Sequence, residues 1–340
     1  MIYADQRWIG DHGIGRFARR VLPAIHSLPV PLEGHPAAPL DIWRLTNALR
    51  ALNADDLFFS PGYNTPLWCQ APFVFTIHDL SHIYCPENSS PRIRLYYAAI
   101  LKRACYRAAS ILTVSEFTRS QIIEWSGVTP EKVVNVGCGV DPAYSARGSW
   151  HALSFPYLLC VSNRKRHKNE LRTVEAFARS GLAKDMHLVF TGHPTSELAN
   201  YIAQQGITTK VYFAGRVLEA KLPSLYRGAQ ALVFPSLYEG FGLPVLEAMA
   251  CGTPVVTSSV AAMPEIADKA ALLVDPTSVE EIAQAMVRII DDTSLRRELR
   301  EEGLARSAQF SWEKTANKVS GILAANTIKA RSMKPGSRYC

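Results

Sequence analysis

The chain has 340 residues, 48% of them hydrophobic and 20% charged. This size and composition predict a soluble protein of two domains of roughly 150 residues each. No apolar run approaches the ~20 residues that cross a bilayer, no secretory signal opens the chain, and seven scattered cysteines without a C-x-x-C pair favour a reducing cytoplasm. The net charge of +7 suits phosphorylated small molecules or an anionic membrane surface, whereas the lack of a nucleic-acid motif disfavours nucleic acid.

Short apolar runs alternate with longer segments of helical periodicity along the chain. Most of these runs are apolar at every position, which is typical of parallel strands buried under helices on both faces. The predicted strands are 56–60, 72–78, 110–115, 132–137, 157–162, 187–192, 210–215, 231–236, 254–259 and 270–275. Helical patterns include 169–182, 278–292 and 310–326. The alternation predicts an α/β fold with right-handed crossovers.

An aperiodic stretch at 141–156, rich in Pro, Ser and Ala, predicts a linker between two domains. We therefore expect an N-terminal Rossmann-like domain over 1–150 and a C-terminal one over 151–309. A helix over 310–327 and a basic tail over 328–340 are expected to follow.

A glycine-rich loop precedes the first helical pattern. Gly13, Gly15 and Ala18 match the G-x-G-x-x-A turn that binds dinucleotides. That turn joins a strand tightly to a helix, but here a long polar loop follows the only candidate strand, at about residues 1–4. The acidic residue expected ~20 positions later is represented only by Glu33, in a Pro-rich stretch. A nicotinamide site is therefore disfavoured, and a glycine loop that contacts a phosphate remains the expectation.

His78 and Asp79 end the apolar strand at 72–78, a position typical of a binding site. His78 and His82 are four residues apart, which would suit a metal on a helix, but the preceding run predicts a strand and no third ligand is evident. No D-x-D motif occurs in the sequence. We therefore expect protein cations, and no metal, to hold a diphosphate. The alternative for His78 is a half-buried histidine at a strand end.

The segment 90–110 combines basic and apolar side chains at helical spacing. Its basic residues interleave with apolar and aromatic ones: Arg92, Arg94, Lys102, Arg103 and Arg107 with Leu95, Tyr96, Tyr97, Ile100 and Leu101. Such a helix can lie on anionic lipid, where each basic residue contributes about 1 kcal/mol. Alternatively, the apolar residues pack under the first sheet and leave a solvated basic face.

A basic loop at 161–170 follows one predicted strand and precedes a helix. Its cations are Arg164, Lys165, Arg166 and Lys168. Cations at the carboxyl end of a parallel strand suit a diphosphate. A solvated basic loop is the alternative, but the strand-end position favours phosphate.

Two glutamates flank a second glycine loop, after the strand at 231–236. Glu239 precedes the loop, and Glu247 lies one turn into the helix that Pro244 begins. The backbone N–H groups of such a loop and of a helix N-terminus suit an anion. Because carboxylates repel phosphate, we expect them to face sugar hydroxyls, and the pattern predicts a nucleotide-sugar site. Alternatively, Glu239 caps the loop and Glu247 is a solvated helix residue.

These segments, in this order, resemble the family 4 glycosyltransferases, which are retaining, metal-independent enzymes of GT-B architecture. The most specific part is the E-x7-E motif of Glu239 and Glu247 within "FPSLYEGFGLPVLEAMACGTPVV". Also similar are "HGIGRFA", "TIHDLSH", "VSNRKRHKN", "AGRVLEAKLPSLYRGA" and "FSWEKTA", so the resemblance covers nearly the whole chain. It implies two Rossmann-like domains facing across a cleft, with the C-terminal helix crossing back to the first domain.

The resemblance implies roles for the donor-binding residues. Lys168 binds the donor diphosphate together with Arg164, or with Arg166 because the loop length varies in the family, and these cations stabilise the leaving group. Glu239 contacts the transferred sugar. The backbone N–H groups that accompany it belong to Gly240, Phe241, Gly242 and Leu243.

Further roles follow from the same resemblance. Glu247 binds the ribose hydroxyls, and Val217 lies beside the nucleobase. Gly13 and Gly15 reach the diphosphate from the first domain. His78 hydrogen-bonds the donor sugar and shapes the transition state. The family requires no metal or other cofactor.

The donor and acceptor are less closely defined by the sequence. The segments "HGIGRFARRVLPAI" and "SNRKRHKN" most resemble bacterial mannosyltransferases of polysaccharide assembly, which implies GDP-mannose or a related GDP-sugar, with UDP-sugars open. The acceptor implied is a glycan or a polyprenol-linked glycan, and the enzyme is expected in the cytoplasm or on the inner membrane face. The stretch 27–53 is short for an acceptor domain, and Ser162 and Ala267 stand where the family commonly has glycine. A nicotinamide oxidoreductase and a non-catalytic nucleotide-sugar-binding protein are the competing classes.

Overall fold

The computed structural model describes residues 1–151 and 153–332. Its contacts divide the chain into two compact units. The first contains Met1–Tyr84, Ser89–Gly139 and the chain from Trp312 onward, and the second contains Cys85–Asn88 and Val140–Ser311. Each unit is built on a six-stranded sheet, which confirms the predicted α/β class.

The first unit has a parallel sheet with the strand order β2-β1-β3-β4-β5-β6. The strands are β1 (Ile2–Ala4), β2 (Leu28–Pro29), β3 (Leu57–Ser60), β4 (Phe73–Thr76), β5 (Ser110–Thr113) and β6 (Val133–Asn135). The three consecutive strands β3, β4 and β5 are buried at every position, as expected for strands covered on both faces. Their side chains form the core of this unit, together with those of the helices packed on them.

Six helices follow or precede these strands. They are α1 (Gly13–Val21), α2 (Asp41–Ala48), α3 (Ser81–Tyr84), α4 (Pro91–Tyr96), α5 (Lys102–Arg107) and α6 (Glu116–Ser126). A π-helical turn over Tyr97–Leu101 joins α4 to α5, so the predicted helix at 90–110 is continuous but irregular.

The second unit has a parallel sheet with the strand order β12-β11-β10-β7-β8-β9. The strands are β7 (Tyr157–Cys160), β8 (His187–Phe190), β9 (Val211–Phe213), β10 (Ala231–Phe234), β11 (Val255–Ser258) and β12 (Leu272–Val274). The carboxyl ends of β7 and β10 are neighbours in this sheet, since these two strands pair directly. The basic loop and the Glu239 loop therefore leave the sheet side by side.

The helices of the second unit follow its strands along the chain. They are α7 (Glu170–Arg179), α8 (Ser196–Gln204), α9 (Leu222–Gly228), α10 (Leu243–Ala250), α11 (Met263–Ala267), α12 (Val279–Asp291) and α13 (Thr293–Ser307). Pro244 lies in the first turn of α10, as predicted. Gly252 follows that helix with a φ of +71°, the left-handed conformation that commonly ends helices.

The last helix, α14 (Trp312–Ser332), belongs to the first unit. The Trp312 ring lies 6.4 Å from the Phe17 ring of α1, and Asn326 Nδ2 donates a hydrogen bond to Ser110 Oγ at 3.0 Å. The return of the C-terminal helix to the first domain is thereby confirmed. The helix extends to Ser332, beyond the predicted end at 327, and the predicted basic tail after 332 lies outside the described residues.

All of the predicted strands are present, but β2 was not predicted. It contains only two residues, both exposed, and one of them is Pro29. Its parallel pairing with β1 places it at the edge of the first sheet. No apolar run marks such a strand, because its side chains are not covered by helices on either face.

Candidate donor site

An ion pair joins the basic loop after β7 to the glycine loop after β10. Lys168 Nζ lies 2.6 Å from Glu239 Oε1, and the two side chains are only 13% and 12% exposed. The same ammonium lies 5.1 Å from the centre of the Phe234 ring, at the end of β10. A main-chain hydrogen bond of 2.7 Å, from Leu237 N–H to the His167 carbonyl, connects the two loops a second time. The structure thus brings together the lysine and the first glutamate that the sequence singled out.

The loop after Glu239 leads its backbone directly into α10. Gly242 is the N-cap of that helix and has a φ of +105°, which side chains with a Cβ rarely adopt. A Cβ at this position would also lie 2.3 Å from Met263 Cε. The remaining loop positions are buried or half-buried: Gly240, Phe241 and Leu243. A helix N-terminus with a close-packed glycine loop is an arrangement that suits an anion.

Glu247 is buried on α10, with only 3% of its surface exposed. The hydroxyl of Tyr226 donates a hydrogen bond to Glu247 Oε2 at 2.9 Å. Tyr226 is itself fully buried, against the ring of Tyr144, and its carbonyl accepts a hydrogen bond from Thr253 Oγ1 at 2.7 Å. The alternative of a solvated helix residue is therefore wrong for Glu247. A buried carboxylate needs hydrogen-bond donors, so this one is held in a fixed orientation.

Arg164 is anchored within the second unit. Its guanidinium pairs with Glu170, donates from Nε to the His193 carbonyl at 2.8 Å, and donates to a second main-chain carbonyl. It also lies 5.3 Å from the ring centres of both Phe190 and Phe213. These contacts use three of the five guanidinium N–H groups and hold the basic loop to the neighbouring strand end. The pairing of Arg164 with a diphosphate stays a prediction.

Two other predicted donor-site residues lie in loops of the same unit. The alternative arginine, Arg166, has 72% of its side chain exposed and lies 3.9 Å from Glu197. Val217 is half-buried in the loop after β9, two residues beyond Gly215. Their contacts with a donor remain predictions.

The first glycine loop is long and closely packed. Residues 5–12 separate the end of β1 from Gly13, the first residue of α1, so the tight strand–turn–helix of a dinucleotide site is not formed. His12 Nδ1 accepts a hydrogen bond from the Gly15 N–H at 3.0 Å and caps the helix. A Cβ on Gly15 would lie 2.4 Å from the Gly10 carbonyl oxygen, whereas no described atom would lie within 4 Å of a Cβ on Gly13. A side chain therefore has no room at position 15, whereas the space around position 13 is open.

His78 follows β4 and is half-buried. Its Nε2 lies 2.8 Å from the Pro61 carbonyl oxygen, and its ring meets the Phe17 ring edge-on at 4.9 Å. Burial lowers the pKa of His78 below its ordinary 6.5, so the ring is neutral near pH 7. Since a carbonyl only accepts, Nε2 carries the proton and Nδ1 is left as an acceptor. An acceptor of this kind suits a sugar hydroxyl.

The other groups near His78 have local roles. Asp79 Oδ1 accepts a hydrogen bond from the Ser81 N–H at 2.8 Å, at the start of α3. His82 lies within α3, four residues after His78. Across residues 1–151 and 153–332, no cluster of three or more His, Cys, Asp or Glu side chains is arranged to hold a metal ion.

Sequence reasoning missed two residues that support the site, Tyr226 and Asn169. Tyr226 lies 21 positions before its partner Glu247, so no periodicity links the two. Asn169 directly follows Lys168, is 4% exposed, and begins α7 with a φ of +60°. A polar residue next to a basic run gives no sign that its side chain is buried. Only the folded chain reveals what each of them touches.

The fold and the site together define a two-unit α/β protein of the GT-B class. The solved structure of sucrose-phosphate synthase from Thermosynechococcus elongatus superposes with a TM-score of 0.74 at 20% identity, and the match covers 97% of this chain and 99% of that one. At that identity the likeness shows the fold alone.

Sequence comparisons identify the family. The model of "Glycosyl transferases group 1" matches residues 149–306, and that of "Glycosyltransferase Family 4" matches residues 7–144. The O-antigen chain mannosyltransferase B of Escherichia coli is 31% identical over 274 residues, which are 76% of this chain and 71% of the relative. The serotype-specific mannosyltransferase WbdA of Escherichia coli is 28% identical over 263 residues, 72% of this chain but 32% of that longer relative. The chain belongs to the group 1 glycosyltransferases and is a glycosyltransferase.

Proposed function

We propose that this glycosyltransferase moves a mannosyl residue from GDP-mannose, or a related GDP-sugar, to a glycan or polyprenol-linked glycan in cell-surface polysaccharide synthesis. The observation that carries the proposal is the contact of 2.6 Å between Lys168 and Glu239 at the strand ends of the second unit. A sugar diphosphate offers anionic oxygens to such a cation and hydroxyl groups to such a carboxylate. Mannose is supported by the two relatives, both of which are mannosyltransferases.

In the proposed complex, each charged group meets one part of the donor. Lys168 and the N-terminus of α10 bind the diphosphate, and Glu239 accepts hydrogen bonds from the sugar. Glu247, oriented by Tyr226, accepts hydrogen bonds from the ribose. A contact between His78 of the first unit and a sugar hydroxyl stays a prediction from the family resemblance. A preorganised cation at the leaving group is worth about 10²–10³ in rate.

We assign a retaining reaction that needs no metal. The bond between the anomeric carbon and the diphosphate oxygen breaks, and the acceptor oxygen forms the new bond on the same face of the sugar. The proton of the acceptor hydroxyl passes to an oxygen of the departing diphosphate. Lys168 and the backbone N–H groups of the Glu239 loop balance the charge that develops on that diphosphate, which is the work a metal would otherwise do.

We also propose that the segment 90–110 of the first unit contacts anionic lipid at the inner face of the cytoplasmic membrane. Tyr97 and Leu101 are buried in the core, so part of the apolar set does pack under the sheet. Leu95, however, is 67% exposed and lies among exposed arginines. A groove of about 540 Å³ follows on the same segment, lined by Leu67, Ala99, Ile100, Arg103, Tyr106 and Arg107. An exposed leucine and an apolar groove rimmed with cations suit the boundary between headgroups and acyl chains.

A helix that spans the membrane is a different feature from the peripheral contact proposed here. Within the part of the chain that the structure describes, no helix combines the length and apolarity that crossing a bilayer requires.

A donor panel tests the proposed function. The purified protein is incubated with GDP-mannose, GDP-fucose, UDP-glucose and UDP-N-acetylglucosamine, each with mannose-terminated oligosaccharides, and nucleoside diphosphate release and product mass are followed. We expect transfer from GDP-mannose, and its loss in Lys168→Ala. Transfer from a UDP-sugar alone would replace the donor assignment. Donor binding without turnover on any acceptor would favour the non-catalytic alternative.

A further inference from the structure

We propose that Asn169 is a positioning residue, whose side-chain amide fixes Lys168 at the donor diphosphate by tying the basic loop to the ends of β10 and β12. The inference rests on the proposed role of Lys168.

The amide of Asn169 has three protein partners in the second unit. Its Nδ2 donates to the Pro235 carbonyl at 2.9 Å and to the Pro276 carbonyl at 2.6 Å. Its Oδ1 accepts a hydrogen bond from Arg172 at 3.0 Å. Because the residue is only 4% exposed, water cannot replace these bonds without opening the loop.

These bonds connect the backbones that carry the two members of the ion pair. Asn169 follows Lys168 directly, and its own N–H closes the short 3₁₀ turn of Arg166–Lys168 by donating to the Arg166 carbonyl at 3.1 Å. Pro235, which receives one of the amide bonds, begins the segment that leads to Glu239. The side chain therefore fixes the distance between the start of the Glu239 loop and the backbone of Lys168.

The residue type fits this task closely. The φ of +60° is tolerated well by glycine and asparagine and poorly by most other residues. Glycine could supply the backbone turn, but only an amide supplies two N–H donors for two carbonyls. Asparagine meets both requirements, which suggests that the side chain has a role beyond permitting the turn.

Asn169→Gly separates the two requirements, since it keeps the left-handed backbone and removes all three side-chain bonds. The control is Asn200→Gly, the same change at an exposed position of α8 in the same unit. It reports what a general loss of helix stability does. Lys168→Ala serves as the reference for complete loss of the cation.

The readout is the ratio of affinities for GDP and GMP, measured by calorimetry on the full chain at a temperature at which each variant is folded. This ratio isolates the second phosphate, so a purely structural defect would weaken both ligands alike. We expect Asn169→Gly to lower the ratio ~10-fold, the size expected for loss of a charged hydrogen bond, with the GMP affinity little changed. Asn200→Gly should leave the ratio as in the wild type.

Two results would overturn the inference in different ways. A ratio that falls in Lys168→Ala but not in Asn169→Gly would leave Asn169 with a structural role only. A ratio that is unaffected by Lys168→Ala would overturn the role of Lys168 itself, and the inference with it. If Asn169→Gly does not fold, Asn169→Ser, which keeps one donor, takes its place, and an unchanged ratio there likewise contradicts the inference.

Discussion

Lys168 Nζ and Glu239 Oε1 lie 2.6 Å apart although 71 positions separate the two residues in the sequence. Parallel pairing of β7 with β10 makes this contact possible, because both loops leave the same edge of the sheet. Each charge is largely removed from water, and the attraction between the two charges offsets the cost of their desolvation. A donor diphosphate would enter an already charged site and share the ammonium with Glu239.

Lys168→Ala is expected to lower transfer by about 10²–10³, because we propose that Lys168 is the cation that stabilises the leaving diphosphate. Donor affinity, measured by calorimetry, should fall while circular dichroism shows an intact fold. The matched control is Lys165→Ala, an exposed lysine of the same loop, which should behave as the wild type. Unchanged donor affinity in Lys168→Ala would refute the assignment.

The two glutamates are expected to differ in what their loss impairs. Glu239→Gln should mainly lower kcat, because we propose that its carboxylate faces the transferred sugar. Glu247→Gln should mainly raise the donor KM, because we propose that this carboxylate holds the ribose. Tyr226→Phe should raise KM less, since it removes only the bond that orients Glu247. Steady-state kinetics at varied donor concentration separate these effects. The reverse order would mean that the two roles are exchanged.

Gly15 and Gly13 are expected to respond very differently to alanine. Gly15→Ala places a Cβ 2.4 Å from the Gly10 carbonyl oxygen, an overlap that typically costs about 1–3 kcal/mol in the free energy of unfolding. Gly13→Ala meets no described atom within 4 Å and should unfold at the wild-type temperature. Thermal unfolding followed by circular dichroism gives the comparison. Equal melting temperatures for the two variants would show that the loop is looser than its contacts indicate.

Anionic liposomes are expected to co-sediment with the protein at low salt, and less at high salt, because the arginines of the segment 90–110 act through screened charge. Neutral liposomes should bind little. Leu95→Ser should weaken binding, since this exposed side chain is proposed to enter the acyl region, whereas Leu218→Ser provides an equally exposed leucine in the second unit as a control. Equal recovery on neutral and anionic vesicles at low salt would end the membrane proposal and favour a soluble acceptor.

The class of fold could be predicted from the sequence because each buried strand leaves a short apolar run, and such runs recur along the chain. Runs such as 231–234 are apolar at every position, and short runs of this kind between helical patterns are typical of strands covered on both faces. The two-residue strand Leu28–Pro29 could not be predicted, because its side chains are exposed and leave no apolar run in the sequence. Its pairing depends on the neighbouring strand and not on its own residues.

The candidate site was predictable only in part. Strand-end position indicated that Lys168 and Glu239 belong to one edge, and the structure puts them in contact. The orientation of Arg164 was not predictable, because it depends on Glu170 and on two rings from other strands. Burial of Glu247 likewise follows from Tyr226, which α9 supplies. The position of a charged residue after a strand thus predicts that it lies near the site. The orientation of its side chain depends on partners that come from other parts of the chain.

The most direct test of the central claim is an NMR experiment on the reaction itself. Wild-type protein is mixed with GDP-α-mannose and a mannose-terminated oligosaccharide in excess chelator, and the anomeric signals of the first product are recorded. We predict that transfer proceeds and that the new linkage is α, as in the donor. A β-linked product, or transfer that begins only after magnesium or manganese is added in excess of the chelator, would contradict the retaining, metal-independent account.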